Sequence, residues 1–524
     1  MRKRCPAVGS LLFSIALANS VSAQEPPPLQ QPIPSGAGWN TYTLQLKAQS
    51  VVLDIVVTNS KGEVVPNLIR DDFQVYEDKA PQIVRSLEPP PSHAASTNPP
   101  IHSTAELDRV EPNVPVTLIV LDEINTRFED EAFARYSVKK FLDKQGDTLE
   151  QPTLLGAVDM DHFTLLSDYT TSKQELLSAL ERHLVAYPWH MEGTSWKAEQ
   201  FNASFAALME IAEATTGHAG HKSLLWIGRG FPPFDPTTLT QQANDGLKQV
   251  IEACINALQT SRVALYTLDP AGVSLDPEEM DAEGFAEDPF AGQVDFNLMA
   301  RATGGHAFFG RNDVDKLVET SARDGASFYT LSYTPIIPGT DTQAFHSIRV
   351  VMKNPDLRAE TREGYYSHVP QPFPVASIGG KQPNRQVFDL AVAAQSMMVY
   401  DALHMTVKRV GETPDQFKIS LNSADLVWHE SGTQKLITTI TVVVGTFDKN
   451  GTALDRSVKI STLQVGEGSS ANTPDAATVN LFTSIPTKSP AARVRFLVRV
   501  DANQRLGAVN FVLGDENPAG EVSN

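Results

Sequence analysis

From Val116 the chain shows its clearest pattern. "VTLIVLD" (116–122) is an unbroken run of β-formers that stops at an acid. Beyond it, "EDEAFARYSVKKFLDKQ" carries apolar residues at helical spacing. Strand-like and helical runs then alternate. "TLLGAVDM" and "HFTLLSD" are candidate strands, followed by the helices "SKQELLSALERHLVAY" and "SWKAEQFNASFAALMEIAEAT". The strand "SLLWIG", the helix "LKQVIEACINALQTS", the strand "VALYTLD", the helix "FNLMARATG" and a short strand at "HAFFG" complete the series. Such alternation predicts a mostly parallel sheet with helices on both faces, spanning residues 113–325.

On either side of this region the period shortens to two. Residues 41–88 alternate apolar and polar positions and turn at "NSKG", which predicts a small antiparallel β module. "ASFYTLSYTP", "FHSIRVVMK" and "LRAETREGYY" predict a β extension over residues 326–368. Residues 387–515 hold "KLITTITVVVGTFDKNGTALD" and "ARVRFLVRVDANQRLGAVNFVL" and read as a β-sandwich-like domain. "DKNG" is its hairpin turn, because Asn-Gly takes positive φ readily. Pro-rich or polar stretches separate these parts: a tail at 24–40, linkers at 89–112 and 369–386, and a terminal tail at 516–524.

A length of 524 residues suits several domains, and the net charge of −19 argues against nucleic acid or an anionic membrane as partner. Residues 1–23 pattern as an export signal: the basic "MRKR", the short apolar "VGSLLFSIALA" and the small-residue site "VSA". A periplasmic or secreted protein is therefore expected, with no transmembrane segment in the mature chain. Cys254 is then the single remaining cysteine, set in an amphipathic helix and expected to be a buried small hydrophobe.

Candidate chemistry gathers where the first long strand ends. A hard divalent cation takes oxygen ligands, and the loop leaving a central strand can bring them together. Asp122 and Thr126 stand four residues apart on that loop, and Asn125 adds an amide oxygen. The same residues also suit a helix cap. No His-Glu-x-x-His, Gly-x-Ser-x-Gly or Gly-x-x-x-x-Gly-Lys-Ser/Thr motif occurs. The two histidines of "HAGHK" (218–222) read as exposed loop residues rather than a metal pair, and "DPEEMDAEGFAEDP" (276–289) as a solvated insertion. Phe328, Tyr329, Tyr333, Tyr365 and Tyr366 read as sheet packing.

The strand "LIVLDEINT" resembles the first strand of a von Willebrand factor type A (VWFA) domain, whose metal-ion-dependent adhesion site begins Asp-x-Ser-x-Ser. Over residues 45–366 the chain is similar to the bacterial, acidobacterial-type VWFA-related family. The matching stretches include "VVLDIVVTNSKGEVVPNLIRDDFQVYEDKAPQ", "HKSLLWIGRGFPP", "SRVALYTLDPAGV" and "ARATGGHAFFGRNDVDKLVETSARDGASFYTLSYTP". The resemblance implies a Rossmann-type α/β domain and places Asp122 at the leading Asp, with Thr126 at the second serine. Thr194 in "MEGTSW" matches the later threonine, whereas Ile124 replaces the first serine and Arg229 stands where the last acid belongs. Three readings of this degenerate site stay open. Asp122 is structural, bonded to Arg229 or to helix N–H groups; or Asp122, Thr126 and Thr194 form a weakened Mg²⁺ or Ca²⁺ site; or another set involving Glu123 or Asn125 serves.

The function implied is that of an exported, non-enzymatic adhesion-type module. It would bind a protein ligand at the top of the VWFA-like sheet, with Glu123, Asn125 and Arg229 as recognition surface and an acidic group on the partner for Arg229 to engage. A metal-assisted hydrolase using Glu123 or Asp159, and a purely structural envelope component, are the alternatives.

Overall fold

A computed structural model describes residues 50–94, 100–159, 163–185, 194–230, 241–272, 296–335, 345–366, 390, 393–410, 416–431, 435–449, 451–465, 478–485, 491–513 and 521–523. The expected signal segment 1–23, the tail 24–40, the linker 369–386 and the acidic stretch 276–289 lie outside the described residues.

In chain order the first strands are β1 (Val51–Thr58), β2 (Phe73–Glu77), β3 (Ala80–Gln82) and β4 (Val84–Glu88). After helix α1 (Thr104–Val110) come β5 (Val116–Asp122), α2 (Phe128–Lys144), β6 (Thr148–Val158), β7 (Phe163–Ser172) and α3 (Lys173–Arg182). There follow α4 (Thr194–Ala214), β8 (Lys222–Ile227), α5 (Gln241–Thr260), β9 (Val263–Leu268), α6 (Phe296–Thr303), β10 (Ala307–Phe308) and α7 (Val314–Ala326).

These central elements build one six-stranded sheet in the order β10-β9-β8-β5-β6-β7. All neighbours are parallel except the β6–β7 hairpin. Every residue of β5, β8 and β9 is buried, as expected of parallel strands covered on both faces. Alternate side chains of β5 serve opposite layers. Leu118 and Val120 join a core with Leu208 and Ile211 of α4 and Cys254 of α5. Ile119 and Leu121 join Val138 of α2, Leu180 of α3 and Leu317 of α7.

The two flanking β regions are joined in space. Beyond α7 run β11 (Tyr329–Tyr333), β12 (Phe345–Met352), β13 (Arg358–Glu360) and β14 (Gly364–Tyr366). They complete the early strands in two four-stranded sheets, ordered β13-β1-β11-β4 and β14-β12-β2-β3. Leu53 and Ile55 from one sheet and Phe73, Val75 and Ile348 from the other share a single core. The α/β unit is thus inserted between the halves of one β-sandwich. Asp54 on β1 fastens the two together: it accepts from Arg262 (2.6 Å) and Thr330 (2.8 Å) and bonds His221 (2.9 Å). Burial alone raises a carboxyl pKa, but His221 and Arg262 hold this one well below the usual range.

The C-terminal strands are β15 (Tyr400–Asp401), β16 (Met405–Arg409), β17 (Gln416–Asn422), β18 (His429–Ser431), β19 (Lys435–Phe447), β20 (Ala453–Val465), β21 (Thr478–Ser484), β22 (Arg493–Val500), β23 (Leu506–Val512) and β24 (Glu521–Ser523). They form a second sandwich, with sheets β15-β23-β22-β19-β18 (β20 pairing β19) and β21-β17-β16-β24. Ile419, Val442, Val494 and Phe496 lie in the core between these sheets.

The outer face of the first sheet packs on the α/β unit, since Tyr400, Val443 and Leu497 share the core of α4. Buried polar groups line this seam. The Arg495 guanidinium donates to the carbonyls of Ala393 and Met398 at 2.8 Å each. The amide of Gly217 donates to Asp401 Oδ1 at 2.9 Å, and a Cβ on Gly217 would lie 2.1 Å from that oxygen.

Glu210 of α4 is buried here, and that burial pushes its carboxyl up to about 7. A raised folded pKa means stability is full below the ordinary value of 4.5 and falls as the pH rises through 7. Glu210→Gln should therefore flatten the decline in unfolding free energy between pH 5 and 8. Urea denaturation at each pH would show a difference on the order of 2 kcal/mol across that span.

Candidate functional site

Strand β5 delivers Asp122 to the C-terminal edge of the parallel sheet, and the loop to α2 turns back over it. The carboxylate is fully buried. Its Oδ1 accepts from the backbone amides of Ile124 and Asn125, both at 3.1 Å. Its Oδ2 accepts from the indole Nε1 of Trp226 at 3.0 Å and from Asn125 Nδ2 at 3.1 Å. Asn125 Nδ2 also reaches Ser204 Oγ on α4 at 3.1 Å. Burial raises the Asp122 pKa, and the bonds from Asn125 and Trp226 oppose that rise.

Gly228, just past β8, leaves room for this arrangement. A Cβ there would sit 2.4 Å from Asp122 Cβ and 2.9 Å from both Asp122 Oδ2 and Thr126 Oγ1. Asp122 and Thr126 therefore converge on one glycine, as their spacing suggested. Thr126 Oγ1 and Asn125 Oδ1 are buried and have no hydrogen-bond partner among the described residues.

Two expectations are corrected. Asp122 does not pair with Arg229, whose guanidinium lies 3.7 Å from Asp269 Oδ1. The parallel register explains why: Ile227 stands beside Leu268, so the residues that follow these two strands run alongside each other. Trp226, opposite Val120, reaches forward to Asp122 instead. The histidines of 218–222 are buried, not exposed. His218 bonds Asp108 (3.1 Å) and the Val114 carbonyl (2.8 Å), and His221 bonds Asp54.

The remaining site residues scatter around this centre. Glu123 is buried and bonds Nε2 of His183, the residue that caps the C-terminus of α3, at 2.5 Å. Thr194 opens α4, and its side chain lies outside the described residues. Glu131 on α2 was not singled out by the sequence. Neither of its buried carboxyl oxygens has a hydrogen-bond partner. Burial, and secondarily the Glu123 charge, push it up to about 8, so it is neutral at pH 7.

The oxygens on hand decide what this centre can hold. Asp122 already accepts N–H bonds at both oxygens, and Ile124 supplies no ligand. Thr126 Oγ1 and Asn125 Oδ1 are the uncommitted acceptors of the loop. Two neutral oxygens fall well short of the six to eight that Ca²⁺ takes, or the octahedral shell of Mg²⁺. Among the described residues, then, a cation at this centre would need the Trp226 and Asn125 bonds displaced or ligands from outside them, such as the Thr194 hydroxyl.

A second group lies in the N-terminal sandwich, where ligand atoms of Glu77, Asp78 and His346 fall within 4.8 Å of one another. It is bonded internally. Asp78 accepts from the Ser347 amide (2.9 Å) and bonds His346 Nδ1 (2.7 Å), while Glu77 accepts from the Tyr333 hydroxyl (2.6 Å). Asp78 and Lys79 take positive φ of 47° and 69° in the tight β2–β3 turn, and these bonds hold that turn against β12. No local signal marks it, because its members lie 268 residues apart.

Comparison with known proteins adds a weak likeness. No family model matches the chain, and no curated protein does. Among solved structures it is similar to proximal thread matrix protein 1 from the mussel byssus, in two crystal forms. The identity is 9–10% and the TM-score 0.26–0.27, over 41–45% of this chain and 49–51% of that one. The chain thus spans about half the length of that protein. It is also similar to the SpRpn10 VWA domain at 16% identity and TM-score 0.17, covering 30% of this chain and 89% of that domain. The strand order itself carries the α/β assignment.

Asp122→Ala strands the Trp226 indole N–H and two backbone amides in a buried place. It should cost on the order of 3 kcal/mol in unfolding free energy by urea denaturation, with Asp122→Asn costing less. Arg229→Ala, removing a partly exposed pair, should cost under about 1 kcal/mol.

Proposed function

We propose that this is an exported, non-enzymatic protein-interaction module of the VWFA-related kind, binding a protein ligand at the C-terminal edge of the parallel sheet. The observation that carries the reading is the pair of buried acceptors, Thr126 Oγ1 and Asn125 Oδ1, with no hydrogen-bond partner among the described residues, on a loop packed against Gly228, which precedes the partly exposed Arg229. Native chains satisfy nearly all buried polar groups, so in this reading the two acceptors gain a partner when the loop shifts to admit the donors of a ligand. Arg229 supplies the complementary charge for an acidic group on that ligand.

Recognition in this reading does not need a metal, because Asp122 is occupied in holding the loop. The flanking sandwiches position the edge.

The test is binding by the full chain, immobilised and exposed to periplasmic and secreted protein with chelator present. A retained partner should be lost with Asn125→Ala and with Arg229→Glu, and kept with Lys79→Glu in the distant β2–β3 turn. A partner kept by both edge variants would place recognition elsewhere.

A further inference from the structure

The outermost strand of the C-terminal sandwich is left open. β20 pairs with β19 from Phe447↔Ala453 to Leu436↔Val465, and among the described residues no strand pairs with its other edge. Every residue from Ala453 to Ile460 is exposed. Val443 of β19 is 2% exposed against the α/β unit, yet Val458 directly beside it is 60% exposed and Ile460 on the same face 69%. The covered part of that face ends one strand short. Long edge strands with apolar faces are usually blunted by proline, bulges or inward charge; "ALDRSVKISTLQV" has no proline, and its bulge at Leu454 sits at its N-terminal end, away from Val458 and Ile460.

We propose that β20 pairs edge to edge with β20 of a second copy of this chain, antiparallel about a two-fold axis through Ser457. Two-fold antiparallel pairing sets each residue opposite one of the same face, so the axis must pass through a residue, not between two. An axis through Asp455, Arg456 or Lys459 sets like charges opposite each other. Axes through Val458, Ile460 or Ser461 leave Asp455 opposite uncharged residues or none. The axis through Ser457 alone sets Asp455 opposite Lys459, twice; Asp455 also accepts from the Arg456 amide at 2.8 Å, Arg456 falls opposite Val458, and Leu454 lies in a bulge outside the regular register. The strand is thus complementary to itself in charge at Asp455 and Lys459. Pairing would continue the sheet across both copies and merge their exposed apolar faces. The strand-end reading above is independent of this contact.

Sedimentation velocity on the full chain, over a roughly hundredfold range of concentration, tests the proposal. A concentration-dependent dimer is expected. Asp455→Lys and Lys459→Asp each set like charges opposite at two places, and each should raise the dissociation constant at least about tenfold. The double variant D455K/K459D restores opposite charges and should return the dissociation constant to near the parent value. Its recovery also excludes loss of fold as the cause of the single effects. A monomer at every concentration would overturn the proposal, as would a dimer indifferent to the single reversals or a double variant no tighter than either.

Discussion

A carboxylate taken fully out of water at the end of the central strand must be met by donors, or the strand end does not hold. Burying an unpaired charge costs several kcal/mol, more than most single contacts return. Asp122 is met by two amides of its own loop, by Asn125 and by the Trp226 indole. Those bonds tie β5 to β8 and fix the direction in which the chain enters α2. Asn125 is held to both Asp122 and Ser204 through its amide nitrogen, and its amide oxygen has no partner among the described residues. The one constraint thus sets both the fold of the edge and the groups it offers.

The same principle joins the three bodies of the chain. Asp54 links the first sandwich to the α/β unit through Arg262 and His221, and Asp401 links the second through the Gly217 amide. Apolar layers supply the bulk of the burial. These few directed bonds select which faces meet, since each leaves a buried group unsatisfied in any other arrangement.

Local patterning made the α/β unit legible. The apolar run of β5, the helix periods and the acid at its end are local signals, and the strand end emerged as the leading site from them alone. The pairing of β1 with β11 across more than 270 residues left no such trace, because alternation reports a half-buried face and not its neighbour. Trp226 as the partner of Asp122 was hidden for a related reason: it depends on the parallel register of β5 and β8. Arg229 was visible as a cation out of place, but the register that turns it toward Asp269 was not. His218 and His221 looked like loop residues because they sit beside glycine, yet the loop packs beneath two other elements.

In the reading proposed above, an edge that holds its own acid recognises a polar ligand without a resident cation. Thermal unfolding of the chelated full chain, titrated with Mg²⁺ and then Ca²⁺, tests that claim most directly. The account predicts no shift in the midpoint. A saturating rise, worth about 2.7 kcal/mol near a hundred times the dissociation constant and abolished by Thr126→Val, would contradict it and return Asp122 to the role of metal ligand.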